Sequence, residues 1–182
     1  MARIYLVRHG RAAAGWDADA DPGLDNTGRR EAEAVAASLA SLGPLRLLTS
    51  PLRRARETAS AFERIWRVEA GIERRLSEIP SPRMDLAARG DWLRKVMAGT
   101  WPAQPAELLA WRGRLGDALR EMTEDTVVAT HFVAINVAVG LATGRPELTL
   151  FHPANGSCTV IETDGEGLRL VRLGQEAESR VL

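Results

Sequence analysis

The sequence predicts an α/β fold in three layers, α/β/α: a mostly parallel sheet with helices on both faces and an antiparallel hairpin near the C-terminus. Three observations carry this. Residues 4–7 (Ile-Tyr-Leu-Val) and 126–130 (Thr-Val-Val-Ala-Thr) are unbroken apolar or β-branched runs, the pattern of strands covered on both faces. Segments with apolar residues at helical spacing alternate with such strands, which favours parallel pairing through crossover helices. Finally, Asp164-Gly165-Glu166-Gly167 separates two strand-like runs, 157–163 and 168–173, and is a hairpin signal.

Length and composition narrow the class. A chain of 182 residues is expected to form one domain, 1–182, with a good core. Lys+Arg 24 balances Asp+Glu 24, so no global field draws the chain to nucleic acid or to an anionic membrane. No apolar run is long enough to span a bilayer, and the N-terminus lacks a signal-peptide pattern. The single cysteine, Cys158, excludes an internal disulfide and fits a reducing compartment, so a cytoplasmic location is expected. Cys158 lies in an apolar run and reads as a small core residue, not a nucleophile. No Cys/His cluster has metal-ligand spacing, so neither metal nor cofactor is expected.

The elements follow in order. The strand at 4–7 stops at Arg8-His9-Gly10. Residues 11–25 read as a long loop, a length that is often functional. Asn26 and Thr27 are cap candidates for a helix to about Leu42, with Ala32, Val35, Ala36, Leu39 and Leu42 on one face. Gly43-Pro44 stops it, and 45–49 is a second strand. Ser50 reads as the next N-cap and Pro51 as its first helical residue. That helix runs to about Trp66, with Ala55, Thr58, Ala59, Phe62 and Ile65 inward. Its first turns carry Arg53, Arg54 and Arg56, although a helix N-terminus favours negative charge. Arg53 and Arg56 read as a solvated face; at least one arginine is expected to meet an anion.

A short third strand is expected within 66–72, then an extended loop, 75–82. Helices are expected at 84–97 and 105–122. Trp92, Trp101 and Trp111 read as core or lid packing, not base stacking, because the region is not basic. The strand at 126–130 ends in His131, and 132–142 reads as a buried helix in which Asn136 is a satisfied core amide. Residues from Gln175 onward read as frayed.

Parallel strands place their carboxyl ends on one edge, where ligands bind in open α/β sheets. That edge receives Arg8 and His9, the start of the 50–54 helix, and His131. Two histidines, at least two arginines and two helix N-termini then converge without metal-ligating carboxylates or thiolates. Such a pocket suits a phosphoryl group.

These pieces resemble the histidine phosphatase (phosphoglycerate mutase-like) superfamily over nearly the whole length. The matching segments are Arg8-His9-Gly10, residues 24–28 opening the next helix, Ser50-Pro51-Leu52-Arg53-Arg54-Ala55 with Thr58-Ala59, Leu76-Ser77-Glu78, and the strand into His131. The resemblance implies that Arg8, His9, Arg54 and His131 form a phosphate pocket, with Glu78 as proton donor, and it selects Arg54 over its neighbours. Phe132, following His131, is a candidate substrate contact. The chain departs from the family pattern at Arg11, where an acidic residue is common, at Trp16-Asp17, where Trp-Asn is common, and at Phe132-Val133, where a Gly-Gly or similar pair is common. The expected activity is metal-independent phosphatase chemistry through a phosphohistidine on His9. A phosphomutase and a non-catalytic phosphate-binding module are the alternatives. A small-molecule phosphoester and a protein phosphohistidine are both open as substrates.

Overall fold

The central strand β1 (Ala2–Arg8) buries both faces, and the rest of the sheet is assembled around it. A computed structural model of the chain describes residues 1–15 and 18–178. The sheet has six strands in the order β3-β2-β4-β1-β5-β6, with β2 (Arg46–Thr49), β3 (Gly71–Ile72), β4 (Thr126–Thr130), β5 (Cys158–Thr163) and β6 (Leu168–Arg172). The pairs β1–β4, β2–β4 and β2–β3 are parallel, whereas β1–β5 and the β5–β6 hairpin are antiparallel. In the β1–β4 register Arg8 lies opposite Thr130, so His9 and His131 leave the sheet side by side.

The period-two alternation of strands divides the core in two. Ile4, Leu6, Leu48, Val128 and Ile161 point to one face, against α4 (Ala106–Arg120) and α5 (Phe132–Thr143). Tyr5, Val7, Leu47, Val127 and Val160 point to the other, against α1 (Asn26–Leu39) and α2 (Arg53–Trp66). The helix α3 (Leu86–Met97) sends Leu93 into the first core. This is the α/β/α sandwich expected, with a mixed sheet. Trp101 and Trp111 are core residues with ring centroids 6.2 Å apart. Cys158 packs at the edge of the second core, and burial pushes its thiol up to about 11. Among the described residues, no helix is long and apolar enough to cross a membrane.

Several local expectations are corrected. The α1 cap is Asp25, whose carboxylate accepts from the Gly28 N–H at 2.7 Å, rather than Asn26 or Thr27. Past Leu39 the helix tightens into a 3-10 turn, Ala40–Leu42, whose shorter period rotates Leu42 out to 44% exposure. Ile65 is likewise 44% exposed, because Phe62 and Trp66 occupy the inner face of α2. The helix α2 starts at Arg53, not Pro51, with an uncapped extended Leu52 before it. The chain from Gln175 is not frayed throughout. Ala154 N–H donates to Gln175 O and Ala177 N–H to His152 O, each at 2.8 Å, so 175–177 satisfies the backbone of the 152–154 loop. Asn136 is a satisfied amide as expected: its NH₂ serves Phe132 O and Phe151 O, while its oxygen accepts from Leu150 and Phe151 N–H.

Candidate active site

At the carboxyl edge of the sheet, β1 and β4 hand their last residues to one pocket. His9 N–H donates to Thr130 O at 3.0 Å, which fixes the backbone just where β1 ends. The next residue must be glycine for a steric reason: a Cβ on Gly10 would stand 2.1 Å from Gly28 O, so α1 can approach only a bare backbone. Gly10 N–H then donates to Thr58 Oγ1 at 3.1 Å, and Thr58 in turn donates to Arg54 O at 2.8 Å. One threonine of α2 thereby locks the loop behind His9 to the backbone of Arg54. Gly10→Ala is expected to destabilise the fold by about 3 kcal/mol, the upper range for overpacking, read as a shift in the denaturation midpoint.

His9 is buried, and both ring nitrogens are assigned by their neighbours. Nδ1 lies 2.7 Å from Gly10 O, an atom that can only accept, so Nδ1 carries the proton. Nε2 therefore holds a lone pair, and Arg54 Nε–H donates to it at 3.1 Å. Burial, then the charge of Arg54 and, more weakly, Arg8, pushes the imidazole pKa down to about 3, although the Gly10 carbonyl opposes this. His9 is accordingly neutral across the physiological range.

Arg54, 5% exposed, and Arg8 supply the positive charge. Arg8 donates through Nη1 to Pro153 O at 2.7 Å, and its guanidinium carbon lies 5.3 Å from the centre of the Phe132 ring. Burial lowers the pKa of both arginines, but guanidinium groups stay charged. Arg53 and Arg56 point outward; Arg53 pairs with Glu57 at 2.8 Å.

His131 packs beside His9 and does not itself line the cavity that holds His9. It is wholly buried, its ring centroid lies 5.2 Å from that of His9, and burial holds its pKa well below the ordinary value. Its Nε2 is 2.7 Å from Ser50 Oγ, and its Nδ1 meets no hydrogen-bond partner among the described residues. Ser50 also accepts from Leu52 N–H at 3.2 Å. Its hydroxyl is thus a fixture of the site, not the α2 cap that its sequence position suggests.

Glu78 is 6% exposed. Thr130 Oγ1 donates to Leu76 O at 2.7 Å and anchors the segment that carries it. One carboxylate oxygen accepts from the N–H groups of Ile79, Val133 and Ala134 at 3.0, 3.1 and 3.2 Å, so the side chain sits at the N-terminus of α5. Burial nevertheless raises its pKa; those N–H groups and Arg54 only oppose the rise.

Arg8, His9, Arg54, Glu78 and Phe132 line one cavity of about 200 Å³. Arg89 of α3 and Asn155 line it too, and neither was singled out from the sequence. Both come from segments with no strand-end motif, so only tertiary structure reveals them. Arg11 reaches the rim but is tied by Nε to Asp25 at 2.5 Å and by Nη2 to Thr27. Asp19 also lines the cavity, whereas Trp16 and Asp17 lie outside the described residues.

The sequence profile of the histidine phosphatase superfamily (branch 1) matches residues 4–176. The chain belongs to the histidine phosphatase superfamily. A probable phosphoglycerate mutase GpmB from Photorhabdus laumondii is 31% identical over 167 residues, covering 80% of this chain and 77% of that protein. A glucosyl-3-phosphoglycerate phosphatase from Mycolicibacterium vanbaalenii is 32% identical over 114 residues, covering 60% of this chain but 47% of that protein. Among solved structures, the mycobacterial glucosyl-3-phosphoglycerate phosphatase Rv2419c superposes with a TM-score of 0.76 at 20% identity, over 97% of this chain and all of that one. YhfR from Bacillus stearothermophilus gives 0.78 at 21% identity, over 97% and 98%. At such identities the two structures establish the histidine phosphatase fold alone.

Proposed function

We propose that this histidine phosphatase-family chain is a single catalytic domain that hydrolyses phosphomonoesters through a phosphohistidine on His9. The observation that carries this reading is the environment of His9: Nδ1 tied to Gly10 O, and Nε2 presenting a lone pair beside Arg54. A nucleophile that is neutral and oriented before substrate arrives needs no base. Nε2 attacks phosphorus in line, and the P–O bond to the alcohol breaks. Arg54 gives up its hydrogen bond to Nε2 and turns its donors to the phosphoryl oxygens, joined by Arg8. His131, neutral and with Nε2 taking the Ser50 proton, carries its own proton on Nδ1 and donates it to a third oxygen. These donors stabilise charge that spreads over the equatorial oxygens in the transition state. Glu78, whose pKa burial raises, gives the proton of its acid form to the leaving oxygen. It then takes one from the water that cleaves the phosphohistidine. A phosphorylated His9 that returns its group to the substrate instead of water is the second reading, favoured by the relative named as a mutase.

The deciding measurement is free phosphate released from a panel of metabolite phosphates and from a phosphohistidine protein. Hydrolysis gives phosphate stoichiometric with alcohol. An isomerised ester without free phosphate establishes the mutase reading, and binding without either product establishes a phosphate-binding module. Arg8 and Arg54 supply the charge, and among the described residues no three His, Cys, Asp or Glu side chains cluster to hold a metal ion. Exhaustive chelation is therefore expected to leave the rate unchanged, and a rate restored by magnesium would overturn that. Vanadate, which adopts the five-coordinate geometry of the transition state, is expected to inhibit strongly.

Arg54→Ala and His131→Ala are each expected to lower kcat by roughly 10²–10³, the scale of one lost transition-state donor, with little change in KM. Arg53→Ala and Arg56→Ala, whose side chains face solvent, are expected to stay close to the parent. A pure KM effect would make Arg54 or His131 a ground-state contact.

A further inference from the structure

The cavity that holds His9 does not end there. Arg8, Glu78 and Phe132 also line a second, larger cavity of about 860 Å³. Nothing in the phosphoryl chemistry needs this space, and its direction is informative. A general acid must face the leaving oxygen, so the alcohol portion of a substrate extends past Glu78, on the side where the larger cavity lies.

The walls specify what fits. Leu93 and Met97 of α3 and Phe132 and Val133 of α5 give it an apolar body. The far wall is a built unit rather than a loose loop. Thr100 and Glu147 form an antiparallel bridge, Trp101 N–H donates to Pro146 O, Leu148 N–H donates to Gly99 O, and Thr149 Oγ1 donates to Met97 O. The charges on the lining away from the phosphate pocket are already answered. Arg94 pairs with Asp91, and Glu147 pairs with Arg145 at 2.9 Å. A carboxylate carried by the alcohol would therefore reach a wall whose arginine already has an acidic partner and whose other ionised group is itself a carboxylate.

We infer that the larger cavity is the leaving-group site, and that it selects phosphomonoesters of bulky, predominantly apolar alcohols over small or carboxylated ones. This rests on the hydrolytic reading for the direction of the leaving group, but the selectivity comes from the walls alone. It also separates the chain from the two curated relatives, whose names both contain phosphoglycerate, a carboxylated phosphoester.

The test uses three primary alkyl esters of similar leaving-group basicity: phenylpropyl, propyl and carboxypropyl phosphate. Phosphate release should give a kcat/KM for the phenylpropyl ester about 10–100 times that of the propyl ester, the scale of filling an apolar pocket. The carboxypropyl ester should fall below the propyl ester. Glu147→Gln is expected to raise the carboxypropyl ester relative to propyl, and Met97→Asp to shrink the phenylpropyl advantage. Equal or better turnover of the carboxypropyl ester by the parent overturns the inference. A second arm reads binding without turnover, by calorimetric titration of phenylbutyl-, butyl- and carboxybutylphosphonate. Tighter binding of the phenyl compound, with no hydrolysis of any ester or of p-nitrophenyl phosphate, leaves the cavity assignment standing and removes the phosphatase reading. Hydrolysis accompanied by a preference for the carboxylated probes does the reverse.

Discussion

His9→Ala should abolish turnover, with kcat falling by roughly 10⁴–10⁶, the scale seen when a covalent nucleophile is deleted and only binding and charge stabilisation remain. The expectation follows from the two contacts of the ring. Gly10 O fixes the proton on Nδ1, and Arg54 marks the lone pair on Nε2. No other described side chain lining the small cavity offers a neutral nitrogen with a free lone pair: Arg8, Arg54 and Arg89 are guanidinium groups, and the amide nitrogen of Asn155 is delocalised into its carbonyl. A neutral quench of enzyme with labelled substrate should trap the label as phosphohistidine at residue 9. An acid quench should lose it, because a phosphoramidate hydrolyses in acid. Label on another residue, or turnover retained in the alanine variant, would refute the covalent assignment. The low pKa adds a second signature. His9 stays neutral down to about pH 3, so the acid side of the rate profile should show no loss near pH 6.5. The sign for stability is the opposite of a protective effect. The unfolded chain takes up a proton near pH 6.5 that native His9 refuses until about pH 3, so stability drains away as pH falls through that window.

How much of this was legible in the sequence depends on the range of the interaction involved. The strands β1 and β4 announce themselves because burial on both faces demands unbroken apolar runs. Their topology delivers Arg8-His9 and His131 to one edge with no knowledge of side-chain positions. The choice of Arg54 among three neighbouring arginines came from family resemblance; the physical reason is a helix phase that buries Arg54 while Arg53 and Arg56 face water. Ser50 was visible but misread. A serine before Pro51 has the signature of an N-cap, and the competing partner, His131, is 81 residues away. Thr58, read as an inward-facing residue and as part of a segment matching the family, is the bolt between Gly10 and Arg54, which needs the tertiary structure to see. Arg89 and Asn155 carry no local signal at all, since a lone polar residue in a helix or loop looks the same whether or not it lines a cavity.

Glu78→Gln should separate substrates by how much their leaving groups need a proton. The substitution keeps the shape but removes the acid. An alkyl alkoxide is a very poor leaving group, so a loss of roughly 10²–10⁴ is expected on alkyl phosphates, the usual range for acid–base catalysis. The p-nitrophenolate ion leaves unaided, and the loss on p-nitrophenyl phosphate should be far smaller. The proposed acid role fits the surroundings of the Glu78 carboxyl group at the N-terminus of α5. Three backbone N–H groups favour the carboxylate, but burial outweighs them and raises the pKa. The sign of the pH dependence follows: phosphorylation of His9 by alkyl esters needs Glu78 protonated, so its rate falls as pH rises through that raised pKa. The aryl ester should lack this limb, and its own ionisation controls for that of the substrate phosphate. Water attack on phosphorylated His9 uses Glu78 in the other protonation state and must be measured apart by single-turnover kinetics. Equal losses on both esters in the phosphorylation step would exclude Glu78 as the acid. Asp19 in the cavity wall, and Asp17 outside the described residues, would then be the carboxyl groups to replace.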